Sequence, residues 1–295
     1  MNGTERTSVV TADGRRLDVE LAGPSDAEPL LFHVGTPSAG RLYPPLVELG
    51  AERGLRHITY SRPGYGRSDR RAQRTVADCV EDVEAVLGEL GVDSFLTVGW
   101  SGGGPHALAC AALLGGRTRA AATIAGVAPR HATGLDWLDG MGEENIAEFG
   151  AAEAGAHDLE EFLRAEREGI LAAGGPEIHA SLGELLSPVD RDAASGEFAD
   201  YLAALFHGGL EDDIWGWFDD DRAFLADWGF SLGRIAAPVA IWQGSEDRFV
   251  PFAHGRWLAE NVAGAQARLL DGEGHLSILL GAYGRLLDKL VSLAD

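Results

Sequence analysis

Short apolar runs recur along this chain, and between most of them lie longer stretches whose apolar positions return every three or four residues. Leu30-Leu31-Phe32-His33-Val34, Arg56-His57-Ile58-Thr59-Tyr60, Phe95-Leu96-Thr97-Val98 and residues 120–125, 238–244 and 267–270 read as strands, the Phe95 run as one covered on both faces. The helical period predicts helices around residues 45–53, over 75–90 with Val76, Val80, Val83 and Leu87 on one face, and over 107–114, 252–262 and 277–293. Ahead of these, Thr7-Ser8-Val9-Val10 and Leu17-Asp18-Val19-Glu20-Leu21 flank Ala12-Asp13-Gly14-Arg15, which reads as a hairpin. Strands alternating with helices predict an α/β fold with a mostly parallel sheet flanked by helices.

Residues 130–228 break this rhythm. No clear strand stands in them, and Leu159, Phe162, Leu163 and Ile170 recur at helical spacing. The stretch reads as an inserted helical cap, with residues 1–129 and 229–295 forming the core. Its aromatics (Phe198, Tyr201, Phe206, Trp215, Trp217, Phe218, Phe224 and Trp228) are read as the cap's own packing, and some of them as the lining of an apolar pocket between cap and sheet.

Charge sharpens that division. The net charge is −22, and residues 131–228 alone hold 24 acidic against 4 basic side chains. Nucleic acid or an anionic membrane is therefore disfavoured as a partner. The acidic block reads as a solvated, solubilising surface, or as a rim that attracts cationic substrates. Residues 94–116 carry no formal charge, but Gly102-Gly103-Gly104-Pro105 breaks them and favours a buried strand, turn and helix over a membrane span. The N-terminal Met1-Asn2-Gly3-Thr4-Glu5-Arg6-Thr7 has no apolar stretch behind it, so no signal peptide is expected. Cys79 and Cys110 lack metal-ligand spacing and read as reduced core thiols in a cytoplasmic protein.

The candidate chemistry centres on Gly99-Trp100-Ser101-Gly102-Gly103, between a strand and a helix. In G-x-S-x-G the turn is tight enough to strain the serine, and glycine two residues before and after lets strand and helix pass. The following helix N-terminus favours negative charge developing nearby. A serine nucleophile needs a base, and the base needs an orienting acid. His275, in Asp271-Gly272-Glu273-Gly274-His275, follows the last strand and lies on the same sheet edge as Ser101. Asp247, in Gly244-Ser245-Glu246-Asp247, follows the preceding strand. The chain order Ser101, Asp247, His275 is that of a nucleophile-elbow hydrolase. His33 and His106 compete as bases and Glu246 and Glu273 as acids, all at less suitable places. The oxyanion donors are assigned to the backbone N–H groups of Gly102 and Thr36, with the Thr36 hydroxyl as an extra candidate. A plain glycine-proline turn at Gly35-Thr36-Pro37 is the alternative.

Four motifs in this order, Gly35-Thr36-Pro37, Arg62-Pro63-Gly64-Tyr65-Gly66-Arg67-Ser68, Gly99-Trp100-Ser101-Gly102-Gly103 and Asp247 with Gly274-His275, make the chain resemble the α/β-hydrolase superfamily over nearly its whole length. The resemblance implies an eight-stranded sheet, a cap inserted after the sixth strand, and metal-independent hydrolysis through an acyl-enzyme. Two positions depart from it: Val34 separates His33 from Gly35, and Ser61 stands where many members carry Asp. Serine at the nucleophile position argues against dehalogenase and epoxide hydrolase chemistry, whose relatives carry Asp there. The expected function is hydrolysis of a carboxylic ester on a small or medium apolar molecule, with no cofactor and no metal. The alternatives are an aminopeptidase or amidase, a carbon–carbon bond hydrolase, and a ligand-binding protein that has lost catalysis.

Overall fold

The computed structural model describes residues 4–177 and 182–295. The leading Met1-Asn2-Gly3 of the stretch read for a signal peptide lies outside them. Eight strands form one sheet: β1 (Glu5–Val10), β2 (Arg16–Ala22), β3 (Glu28–His33), β4 (Leu55–Tyr60), β5 (Phe95–Trp100), β6 (Thr118–Ile124), β7 (Val239–Gly244) and β8 (Gln266–Leu270). Their spatial order is β1-β2-β4-β3-β5-β6-β7-β8. The hairpin partner β2 runs antiparallel to β1 and β4, and every other pairing is parallel.

The helices outside the long connection from β6 to β7 cover both faces. On one face α1 (Pro44–Ala51) and the final helix, α10 (Ser277–Ala294), bury Leu46, Leu279 and Leu286 against Leu30, Phe32 and Val98. On the other, α2 (Cys79–Glu89) and α3 (Gly104–Leu113) pack Val83, Leu87 and Cys110 against Leu31, Ile58 and Phe95, while α9 (Phe252–Asn261) sets Leu258 beside Ile241. Cys79 and Cys110 are buried free thiols.

From β3 the chain moves to one side, into β4, and then crosses back to place β5 on the other side of β3. The connections after β3 and β5 therefore diverge and open a crevice at the carboxyl ends of these strands. The oxyanion-loop candidate follows β3, and Ser101 follows β5.

Helices alone fill the described part of the connection from β6 to β7: α4 (Glu143–Ala154), α5 (Ala156–Ala172), α6 (Pro188–Ala193), α7 (Gly196–Leu210) and α8 (Trp215–Leu225), with short 3-10 turns. Leu159 and Leu163, at helical spacing, are both buried on α5.

Two expectations need correction. The helix anticipated over 75–90 begins at Cys79, because the Asp78 carboxylate accepts the Thr75 N–H at 2.6 Å and its hydroxyl at 3.0 Å, holding these residues in a turn. The acidic block is not simply a solvated surface, because Asp190, Asp219, Asp220 and Asp221 are all buried.

Candidate active site

Ser101 sits at the apex of the turn between β5 and α3, with φ at +56°. That backbone is strained for a residue with a Cβ. The flanking glycines make the turn sterically feasible: a Cβ at Gly99 would run into the Gly103 carbonyl, and one at Gly103 into the His33 carbonyl. The strain at Ser101 is thus enforced by backbone packed closely on both sides.

His275 and Asp247 meet across two neighbouring loops. The His275 Nδ1–H lies 2.9 Å and 3.1 Å from the two Asp247 oxygens, and both residues are buried. Asp247 also accepts from Gln243 Nε2 at 2.8 Å and from the N–H groups of Phe249 and Val250, each at 2.9 Å. Burial pushes the Asp247 carboxyl above its ordinary pKa, and His275 and the Val250 N–H pull it back. The Phe249 ring stacks on the imidazole at 4.5 Å, fixing its plane.

His275 lines a small space with Ser101, Gly35, Trp100 and Phe249. A larger pocket shares Thr36, Ser101, Phe206 and Phe249 with that space and extends into the helical segment, so the two meet at the serine. Among the described residues the Ser101 hydroxyl makes no hydrogen bond of its own. In ligand-free sites the nucleophile–base contact is often long and tightens only with substrate.

The rival residues are committed elsewhere. His106 Nδ1–H donates to the Gly102 carbonyl at 2.9 Å, and burial lowers its pKa to about 3. Burial also holds His33 well below the ordinary histidine value, stacked on His106 at 6.1 Å. Glu246 is exposed, whereas Asp247 is buried against the imidazole. Glu273, expected to be exposed, is half-buried and accepts the Ser277 hydroxyl at 2.6 Å.

Thr36 and Gly102 are brought side by side, since a Cβ on Gly102 would lie 2.5 Å from Thr36 Oγ1. The Thr36 hydroxyl itself is occupied. It donates to Asp220 at 2.8 Å and accepts from Arg62 at 2.9 Å, which corrects the expectation of a spare donor there.

Two supports for the site were not foreseen. Asp190 on α6 accepts the N–H groups of His275, Leu276 and Ser277 at 2.8, 2.8 and 3.0 Å, so a carboxylate from the helical segment caps α10 and holds the His275 loop. Asp220 on α8 binds Arg62 at 2.6 Å and Arg74 at 2.6 Å. Arg62 in turn donates to the Val34 and Gly35 carbonyls at 2.6 and 2.8 Å, bracing the loop that carries Thr36. Burial would raise the Asp220 pKa, but the two guanidiniums hold it below the carboxylate range. The available signal was Trp217, Asp220, Asp221 and Phe224 at helical spacing, which puts carboxylates on a helix face otherwise aromatic.

Of the aromatics singled out between Phe198 and Trp228, Phe206, Trp217 and Phe224 line the larger pocket. Phe198 and Tyr201 pack instead on Tyr43, Trp215 and Phe218 pack together beside Tyr65, and Trp228 joins the core beneath α3.

Residues 30–287 match the model of a family described as the alpha/beta hydrolase family. A non-heme chloroperoxidase of Streptomyces lividans is 27% identical over 278 residues, covering 91% of this chain and 92% of that protein. An epoxide hydrolase from Vigna radiata superposes with a TM-score of 0.72 at 16% identity, covering 99% of both chains. An esterase from a Rhodococcus species does so with a TM-score of 0.65 at 22% identity over 98% of each chain. At such identities the two solved structures speak for the fold and not for the chemistry.

Proposed function

The chain belongs to the alpha/beta hydrolase family, and from that premise we propose that it is a serine hydrolase of carboxylic esters working through an acyl-enzyme. The observation that carries this reading is the hydrogen-bonded Asp247–His275 pair, which faces the same pocket as a serine held at φ +56°. Ser101 Oγ attacks the ester carbonyl while His275 Nε2 takes its proton. Asp247 holds the Nδ1–H tautomer and stabilises the imidazolium. The oxygen that gains charge is received by the N–H groups of Gly102 and Thr36. His275 then protonates the departing alcohol, and water hydrolyses the acyl-enzyme with His275 as base.

Residues 130–228 act as the cap in this reading, and the pocket between cap and sheet takes a small or medium substrate. Phe149, Phe206, Phe224 and Val127 supply apolar walls for it.

The test is a para-nitrophenyl ester series from acetate to octanoate, assayed with wild type and Ser101→Ala. The reading expects turnover by wild type and none by a variant that stays folded by circular dichroism. Equal turnover by the two proteins overturns it.

A further inference from the structure

Helix α8 carries three consecutive buried aspartates with different surroundings. Asp219 accepts two hydrogen bonds from Arg70, at 2.7 and 3.1 Å. Asp220 is bound by Arg62, Arg74, Tyr65 and Thr36. Asp221 is 0% exposed and lines the pocket that contains Ser101, yet no N–H or hydroxyl group reaches either of its oxygens. Its polar neighbour is another carboxyl, that of Glu148, with which it bonds only by sharing a proton, and whose Oε1 accepts the Trp217 indole N–H at 2.8 Å. Glu144 and Glu166 also line this pocket, and among the described residues no lysine or arginine does.

A buried carboxylate without a donor is costly, and two in contact are costlier still. The neighbouring aspartates show what this helix does with such groups when the partner belongs to the protein: each receives an arginine. For Asp221 and Glu148 the missing counterpart lies on the pocket side. We propose that Glu148 and Asp221 form the subsite for a protonated amine, so that the substrate is a carboxylic ester or amide that also carries an ammonium group.

Three further observations agree. No group of three or more His, Cys, Asp or Glu among the described residues is arranged to hold a metal ion, which favours an organic cation. Trp217, Phe162 and Phe224 line the same pocket, and aromatic faces attract ammonium groups. Burial pushes Glu148 up to about 7 and Asp221 well above the carboxylate range. Glu166 reinforces the first shift and Glu148 and Asp220 the second; the bond between the two carboxyls lowers Glu148 and raises Asp221, the Trp217 bond opposes the first shift and Arg74 the second. The empty pair therefore keeps a proton that an arriving ammonium replaces.

The proposal rests on the serine-hydrolase reading for the reaction but not for the binding, and the test keeps them apart. Benzylammonium and benzyl alcohol are titrated by calorimetry at pH 8 into wild type, Ser101→Ala, Glu148→Gln and Asp221→Asn, all as the full chain. The expected result is benzylammonium binding about tenfold or more tighter than the alcohol to wild type and to Ser101→Ala alike. That preference falls at least about tenfold in Asp221→Asn, and in Glu148→Gln if the other variant fails to fold. Equal affinity of wild type for the two probes overturns the proposal, as does a preference undiminished in a folded acidic-pair variant. Neither result bears on whether Ser101 is the nucleophile.

Discussion

Arg62 and Asp220 stand 158 positions apart in the chain and meet at 2.6 Å in the interior. The pair joins α8 to the loop that carries Thr36, so the shape of the candidate oxyanion site depends on a carboxylate from the helical segment. Arg74 shares the same carboxylate at 2.6 Å. Asp220→Asn leaves two buried guanidiniums without a counter-charge, and the expected loss is about 3–5 kcal/mol of stability. Urea unfolding measures it. A loss below about 1 kcal/mol means that the arginines find water or another acceptor, and the bracing role is wrong.

Asp190 is the second brace, and it acts on the base. Asp190→Ala removes the acceptor of three N–H groups on the His275 loop, two of them buried, and kcat is expected to fall about a hundredfold with KM little changed. An unaltered kcat with lowered thermal stability alone would reduce Asp190 to a structural cap.

Thr36→Val separates the backbone of that residue from its hydroxyl. The hydroxyl is spent on Asp220 and Arg62, so its removal should cost about 1–3 kcal/mol of stability. In kcat it should cost less than about tenfold, against the ~10²–10³ expected for losing a true oxyanion donor. Guanidine unfolding and steady-state kinetics on the same preparation distinguish the two. A thousandfold fall in kcat would show that the hydroxyl touches the reacting oxygen.

Glu148 gives a pH dependence with a definite sign. An unfolded glutamate ionises near ~4.3, whereas folded Glu148 holds its proton up to about 7. Between those values the folded chain retains a proton that the unfolded chain has released, so this group makes stability fall as pH rises, with the loss complete above about 7. Glu148→Gln, neutral throughout, escapes the loss. The variant should melt with wild type near pH ~4 and above it at pH ~8, in calorimetric scans across that range. A variant that melts lower than wild type at the alkaline end contradicts the raised pKa. Such a gain in stability beside weaker amine binding would mark Glu148 as kept for function.

Much of this molecule was legible in the chain because local patterns carry it. Six strands announced themselves as apolar runs, five of them buried and the sixth, β8, largely exposed at the sheet edge, and the Gly99-Trp100-Ser101-Gly102-Gly103 turn by the spacing that its sterics demand. Asp247 and His275 were legible because each follows a strand, which places both at one edge of the sheet. The supports were not legible, because they come from the connection between β6 and β7 and act over long separations. Asp190 reaches the Ser277 N–H across 87 positions, and nothing local distinguishes it from an exposed aspartate. Asp219, Asp220 and Asp221, counted as charge, also look like surface; the arginines brought in by the fold hold Asp219 and Asp220 in the interior, and the only local trace in the chain is their place between Trp217 and Phe224.

Fluorophosphonate labelling followed by intact mass asks whether Ser101 is an activated nucleophile. A single adduct on wild type, none on Ser101→Ala and a markedly slower adduct on His275→Ala are expected. A folded wild type that takes no adduct, or an adduct that persists when Ser101 is replaced, rules Ser101 out as the nucleophile.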